Sequence, residues 1–462
     1  MTTQAVVGVV RRRFPLVPIV AVVTSLIAGD ALVSHSKLAS LVLVAVCLAG
    51  LMVVTFNVAP ERVFLGWFLV APFLQASSRN SSVGHLLSQV LFTLPPILFL
   101  LWAAIARRTA VRASFVDVLP AAYFALAVVS LELTKVGSSA SLRGIVTTVG
   151  FAAVAYYFAA FGPVSEQFGE RLCRVVLITA SILGVMGLIE EVTGWNLWHN
   201  TDWRDPTPRV VATLDNPAVL GIYLSIAIAV SLVVLFWDGP AKLRRLAVLT
   251  LVVAVPTMVF TYTRGPFLGL FAVAVPLLLL RKSIRARSVI VLAIGGFLLV
   301  LFWGSFAGSS VYQKRVSDSA TVQTRVVIQN WSLKLASQKP ILGWGYGSFD
   351  RVKNTATDLQ GTDLEQKLGT SSTSHDTFLT ILVELGAIGL VLFLAPWAII
   401  LWRLRQFIRV PSEHRWFGIV CIATPIAFAL GATTFDLRFF SFIGAVPWIA
   451  MGCGRRLTAG AD

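Results

Sequence analysis

The sequence predicts an all-α polytopic membrane protein, with about 12–14 transmembrane helices and one large extracytoplasmic loop. Three observations carry that prediction. Apolar residues make up 56% of the 462 residues and charged residues only 13%, with a mean hydropathy of +0.81, whereas about a quarter of a soluble globular chain is charged. The apolar residues fall in runs of the length, roughly 20 residues, that a helix needs to cross a hydrocarbon core about 30 Å thick. Basic residues mark the ends of those runs in alternation.

Dividing the chain at its charged and Gly/Pro/Ser-rich breaks gives candidate spans at 14–33, 38–57, 62–76, 85–106, 115–134, 143–162 and 172–192. The second half adds 214–236, 243–262, 266–280, 288–307, 375–402, 415–433 and 437–453. The third and tenth are short. Arg11, Arg12 and Arg13 before an apolar run resemble a signal peptide, but no small-residue cleavage site follows, so the first span is read as an uncleaved helix.

With the N-terminus inside, every second loop is basic, and 22 of the 38 Lys and Arg residues lie in the inner set. Both termini are therefore expected in the cytoplasm. The net charge of +16 and pI near 10.3 do not signal nucleic acid, because the basic residues sit at membrane boundaries, where they anchor helices and meet anionic membrane lipids. Cys47, Cys173, Cys421 and Cys453 fall in or beside spans without metal-ligand spacing, so neither a disulfide framework nor a metal or other cofactor is expected.

Four regions follow. Residues 1–192 form an N-terminal transmembrane scaffold, 193–307 the central helices with arginines at the outer face, 308–374 the large extracytoplasmic loop, and 375–462 the C-terminal helices. The stretch GWNLWHNTDWRDPTPR, up to Arg209, is tryptophan-rich and suits the interface. In the large loop, Thr321–Gln338 is expected to be an amphipathic helix lying on the membrane, with Val327, Trp331 and Leu335 as its apolar stripe. PILGWGYGSFD after it is turn-rich, and lacks the Lys-Ser/Thr and the strand-to-helix setting of a phosphate-binding P-loop. Residues 351–374 are polar and read as a flap over the outer face.

The topology brings four residues to that face: Arg209 before the eighth span, Arg264 between the ninth and tenth, Arg325 on the amphipathic helix, and His375 opening the twelfth. One arginine at a membrane boundary is usually a snorkelling anchor, but four such sites at one depth fit anchoring less well. Arg264 lies in TYTRGPFLGL, a break between two apolar runs, where a guanidinium can meet a lipid-linked phosphate bidentately. His375 lies in SSTSHDTFLTILVELGAIGL, with Asp376 beside it and an unbroken apolar helix expected after it, and it is the candidate base for a hydroxyl nucleophile. Weaker candidates are Arg143 and Arg438 at outer span ends, Asp376, and Tyr346 with Tyr262 and Trp344 as sugar contacts. Glu190 and Glu191, near the outer end of the seventh span, are weaker still.

Taken together, RVVATLDNPAVLGIYL from Arg209, TYTRGPFLGL, the Arg325 helix leading to PILGWGYGSF, and SHDTFLTILVELGAIGLVLFL resemble the O-antigen ligase family over about residues 205–400. That family includes lipopolysaccharide O-antigen ligases, O-antigen polymerases and bacterial O-oligosaccharyltransferases. The family more often has Asn at the position of Asp376 and Ser at that of Thr263. The resemblance implies a metal-independent, inverting C-type glycosyltransferase in the bacterial cytoplasmic membrane, working on the outer side. It would move a glycan from a polyprenyl-pyrophosphate carrier to a glycan, lipid or cell-wall acceptor. Arg264 and Arg325, supported by Arg209, would hold the pyrophosphate and stabilise it as it leaves, and His375 would activate the acceptor hydroxyl. A polymerase of lipid-linked repeat units would use the same residues. A lipid-linked glycan flippase is the rival from another class; it would spread its cationic groups along a cavity between related halves, and this sequence does neither.

Overall fold

The computed structural model describes residues 60–77, 113–134, 144–195, 209–214, 216–270, 319–352, 374–438 and 440–459. Every regular element among them is a helix. In chain order these are α1 (Pro60–Ser77), α2 (Phe115–Thr134), a π-helical turn (Val146–Gly150) running into α3 (Phe151–Phe161), α4 (Phe168–Thr193), α5 (Pro217–Phe236) and α6 (Ala241–Phe260). They continue with α7 (Ser319–Gln338), the short α8 (Phe349–Val352), α9 (Thr377–Phe407), α10 (Arg415–Ala432) and α11 (Ser441–Leu457). Five of them, α4, α5, α6, α9 and α10, are long and apolar enough to cross a membrane. The expected spans at 14–33, 38–57, 85–106 and 288–307, most of the 193–209 loop and the flap lie outside the described residues.

Helix α5 is the centre of the bundle, and its sequence explains why. Asn216 caps it by accepting the Ala218 N–H at 2.8 Å, Pro217 takes the first helical position, and the helix is apolar on every side, so it must be buried all round. Helices α4, α6 and α10 cover it. Where α4 and α6 meet, hydroxyls join them: Thr257 donates to the Gly184 carbonyl at 2.8 Å and Thr250 to the Leu177 carbonyl at 3.2 Å. The other faces of these two helices expose Ile182, Val185, Val248, Leu249 and Val252, which suits lipid and not water.

The bundle has two unlike ends. At one, Arg171 pairs with buried Glu61 at 2.7 Å, and buried Asp117 accepts from Tyr156 Oη at 2.7 Å and from Arg455 Nε at 3.3 Å. At the other end the turns 209–216, 261–265, 340–348, 374–376 and 433–438 come together.

Two features differ from expectation. Helix α9 is not continuous: Gly386 has φ 65 and ψ −168, which breaks the helical hydrogen-bond ladder. The polar groups released there are taken up by the segment after α7. Pro340 and Ile341 carbonyls accept from Ala387 (2.8 Å) and Ile388 (3.3 Å) N–H groups, while Trp344 and Gly345 N–H groups donate to Val383 (3.0 Å) and Glu384 (2.7 Å) carbonyls. The apolar stripe of α7 also turns inward. Trp331 and Leu335 are buried with Phe349 and Val383, so this face packs on α9 and not on the membrane. The reason is that α9 offers an apolar face of its own at the height of the loop.

Candidate active site

Three turns and one helix bring the sequence-derived residues to the same end of the bundle. Arg209 opens the turn before α5, which is held by Glu190 at the end of α4: its Oε2 accepts from Val211 N–H at 3.1 Å and Ala212 N–H at 2.8 Å. An acid whose presence near a span end was unexplained thus has a structural task. Arg264 is exposed in the turn after α6, in which Thr261 donates to the Met258 carbonyl at 2.7 Å and Thr263 to the Thr261 carbonyl at 2.9 Å. Gly265 beside it lies so close to Thr434 that a Cβ there would clash with its hydroxyl.

His375 sits at the head of α9 in a turn fixed from both sides. Asp376, not the histidine, is the helix cap, accepting from Phe378 N–H at 2.8 Å and Leu379 N–H at 3.0 Å. Buried Ser374 donates to the Asp376 carbonyl at 2.7 Å and shares a 2.6 Å hydrogen bond with Thr380. The His375 ring lies 6.4 Å, centroid to centroid, from that of Phe435 in the 433–438 turn. Thr377 fixes that turn, donating to the Phe435 carbonyl at 3.1 Å and accepting from Leu437 N–H at 3.0 Å.

Backbone conformation singles out the same places. Among the described residues, four non-glycine residues adopt left-handed φ: Ala212 (48°), Asp238 (55°), Tyr262 (47°) and His375 (57°). Three of the four lie in the turns that carry Arg209, Arg264 and the histidine. Such conformations cost free energy for residues with a Cβ and persist only where surrounding contacts impose them, which is common at sites of chemistry.

The charges interact. Burial, followed by the charges of Arg264 and Arg209, holds the Arg325 guanidinium below the usual arginine range. Burial and then Arg325 lower the His375 imidazole to about pH 4, against the opposing pull of Asp436. At neutral pH the imidazole is therefore uncharged and can accept a proton, beside a cluster of guanidinium groups that an anion would relieve. Burial lifts the Asp376 carboxyl above its usual range, against the backbone N–H groups it caps.

A family model described as O-Antigen ligase matches residues 246–394. Over these residues, about a third of the chain, the sequence is similar to the O-antigen ligase family. No curated protein matches the chain. The ligase domain takes in Arg264, Arg325 and His375, and leaves Arg209 and the 433–438 turn to flanking parts of the chain. It marks the protein as a membrane enzyme of glycan processing, of the ligase or polymerase type.

Of the weaker candidates, Asp376 and Tyr262 lie in the turns of the site. Arg143 lies outside the described residues. Tyr346 is buried, with its hydroxyl 3.0 Å from that of Thr148 and its N–H donating to Ser130 at 3.0 Å, so it belongs to the internal frame of the bundle. Tyr262 is buried too, and Trp344 is half-buried, its indole N–H on the Leu335 carbonyl at 3.0 Å. Arg438 is buried in a fork on Asp436, Nε at 3.1 Å and Nη2 at 2.9 Å, and its Nη1 donates to Glu384 at 2.7 Å. Sequence reasoning passed over Glu384 and Asp436. The signal was present, since Glu384 interrupts the apolar run ILVELGAIGL, and an acid at that depth ordinarily has a partner.

Proposed function

We propose that the protein is an inverting glycosyltransferase that moves a glycan from a polyprenyl-pyrophosphate carrier to an acceptor hydroxyl at the outer face of the membrane, with both termini in the cytoplasm. The observation that carries the reading is the electrostatic meeting of Arg209, Arg264 and Arg325 with an uncharged His375 at one end of the bundle. Guanidinium groups gathered at one end of the bundle suit an anion, and the donor's pyrophosphate carries two negative charges, gains a third as it leaves, and offers many acceptor oxygens.

In the reaction, the acceptor oxygen attacks the anomeric carbon from the face opposite the pyrophosphate. The bond from that carbon to the pyrophosphate oxygen breaks, and its electron pair leaves with the phosphate, which the guanidinium groups stabilise. The acceptor proton passes to a ring nitrogen of His375. Arg264, exposed in its turn, makes the first contact with the donor, and the half-buried Arg325 completes the clamp beside the histidine. Ligase and polymerase differ only in whether the acceptor is another class of molecule or a second lipid-linked glycan.

The test is glycan profiling of a deletion strain complemented with wild type, Arg264→Ala or His375→Ala, with each protein verified in the membrane. Accumulated lipid-linked precursor and loss of the surface glycan in both variants is the expected result. Normal glycan in both would refute the reading. A ladder of product lengths from wild type marks a polymerase, and a single transferred block a ligase.

A further inference from the structure

Beside His375 stands a buried ionic group that the reaction above does not use. Arg438 carries one positive charge between two carboxylates, Asp436 and Glu384, all three almost fully buried. The group has a net charge of −1, next to the +3 of Arg209, Arg264 and Arg325. Its two acids have separate tasks. Glu384 accepts from Gly347 N–H at 2.8 Å and Phe349 N–H at 3.3 Å as well as from Arg438, and so fixes the glycine-rich turn to α9. Asp436 is in the turn that carries Phe435 against the His375 ring, and Arg438 grips it by both backbone N–H (3.1 Å) and guanidinium.

We propose that Asp436 is a positioning residue for proton transfer at His375, held in place by the Arg438–Glu384 ion pair. This rests on the transferase reading above. When His375 takes the acceptor proton it becomes a cation beside Arg325 in a poorly solvated place, which opposes the transfer. A fixed carboxylate on the other side offsets that repulsion and favours the imidazolium as it forms. The charged groups around the imidazole are then Arg325 from α7, with Arg264 and Arg209 behind it, Asp376 at the cap of α9, and Asp436 with Arg438 and Glu384 below. Of these acids Asp436 is the one that acts on His375, since Asp376 is engaged with the helix N-terminus. The buried pair also explains why an arginine at a span end faces inward when it could anchor to lipid headgroups.

The test uses the full-length protein in membranes of the deletion strain, with the lipid-linked glycan that accumulates there as donor. Asp436→Asn keeps the side-chain shape and one acceptor for Arg438. Its kcat is expected to fall about 10–100-fold, within the range that general-base assistance supplies, with donor KM within about threefold of wild type. The acid limb of its kcat profile is expected to move to lower pH, because a charge that favours the imidazolium is gone. A wild-type kcat and unmoved limb, with His375→Ala inactive, would overturn the positioning role and leave the transferase reading intact. An active His375→Ala would overturn that reading itself. A slower Asp436→Asn whose limb does not move and whose thermal midpoint drops would assign Asp436 to folding alone, and also overturns the proposal.

Discussion

At the scale of single residues, the free protein is expected to keep His375 uncharged to about pH 4. The sign follows from the causes: burial and Arg325 both disfavour the imidazolium, so the active neutral base persists well below the usual histidine range near 6.5. The kcat/KM profile should therefore stay level through pH 6 and fall only as pH nears 4. Arg325→Gln removes a neighbouring cation and should move that acid limb upward while weakening donor binding, as both rate and limb position in a pH series will report. The Asp376 cap makes a different prediction: Asp376→Ala should cost about 1 kcal/mol of stability, read as a lower thermal midpoint. The arginines and the histidine were legible in the sequence because charge is costly in an apolar chain and is placed there for a reason. Their partners were not. Glu384 and Arg438 are 54 residues apart, and no local pattern pairs them.

At the scale of elements, the break in α9 is the part of the fold that the sequence hid. Glycine is common in membrane helices, so Gly386 in VELGAIGL reads as one small residue among several. Only the neighbouring backbone reveals its purpose. Gly343, with φ 69, lies so close that a Cβ on it would run into the Glu384 backbone, and one on Gly386 would run into that of Ile341. Gly343→Ala or Gly386→Ala should therefore destabilise the solubilised protein by about 2 kcal/mol or more, through both strain and clash. Gly66→Ala, where a Cβ meets nothing within 4 Å, should leave the melting midpoint unchanged. The amphipathic helix was placed well from its pattern, Thr321–Gln338 against the observed Ser319–Gln338. Which surface its apolar stripe meets was not, because lipid and a neighbouring helix demand the same residues.

For the whole molecule, the positive-inside pattern predicts which end of the bundle faces the cytoplasm. Ser337 in the last turn of α7 and Ser412 between α9 and α10 are both exposed. In intact cells lacking Cys47, a membrane-impermeant maleimide should label Ser337→Cys and spare Ser412→Cys until the membrane is opened. Cys173, Cys421 and Cys453 are buried and should stay silent in that assay. Labelling of Ser412→Cys from outside would invert the topology. The fold class was readable from composition and run length alone, since a bilayer dictates both. The carboxylate pairs Glu61–Arg171 and Asp117–Arg455, at the end of the bundle away from the site, join helices distant in sequence and emerged only with the bundle.

The break at Gly386 also works as a depth gauge. Helix α9 has 31 residues, which at 1.5 Å each is about 46 Å, well beyond the roughly 30 Å of a hydrocarbon core. The run from the break to Trp402, where an exposed indole meets Arg405 as at a headgroup boundary, spans about 24 Å. Measured from Trp402, a core of roughly 30 Å ends about four residues before the break, so the first turn of α9 and His375 stand on the order of 10 Å beyond it. On the proposed reading, a polyprenyl carrier must rise by a similar distance to present its pyrophosphate, drawing its first isoprene units out of the bilayer and against the protein.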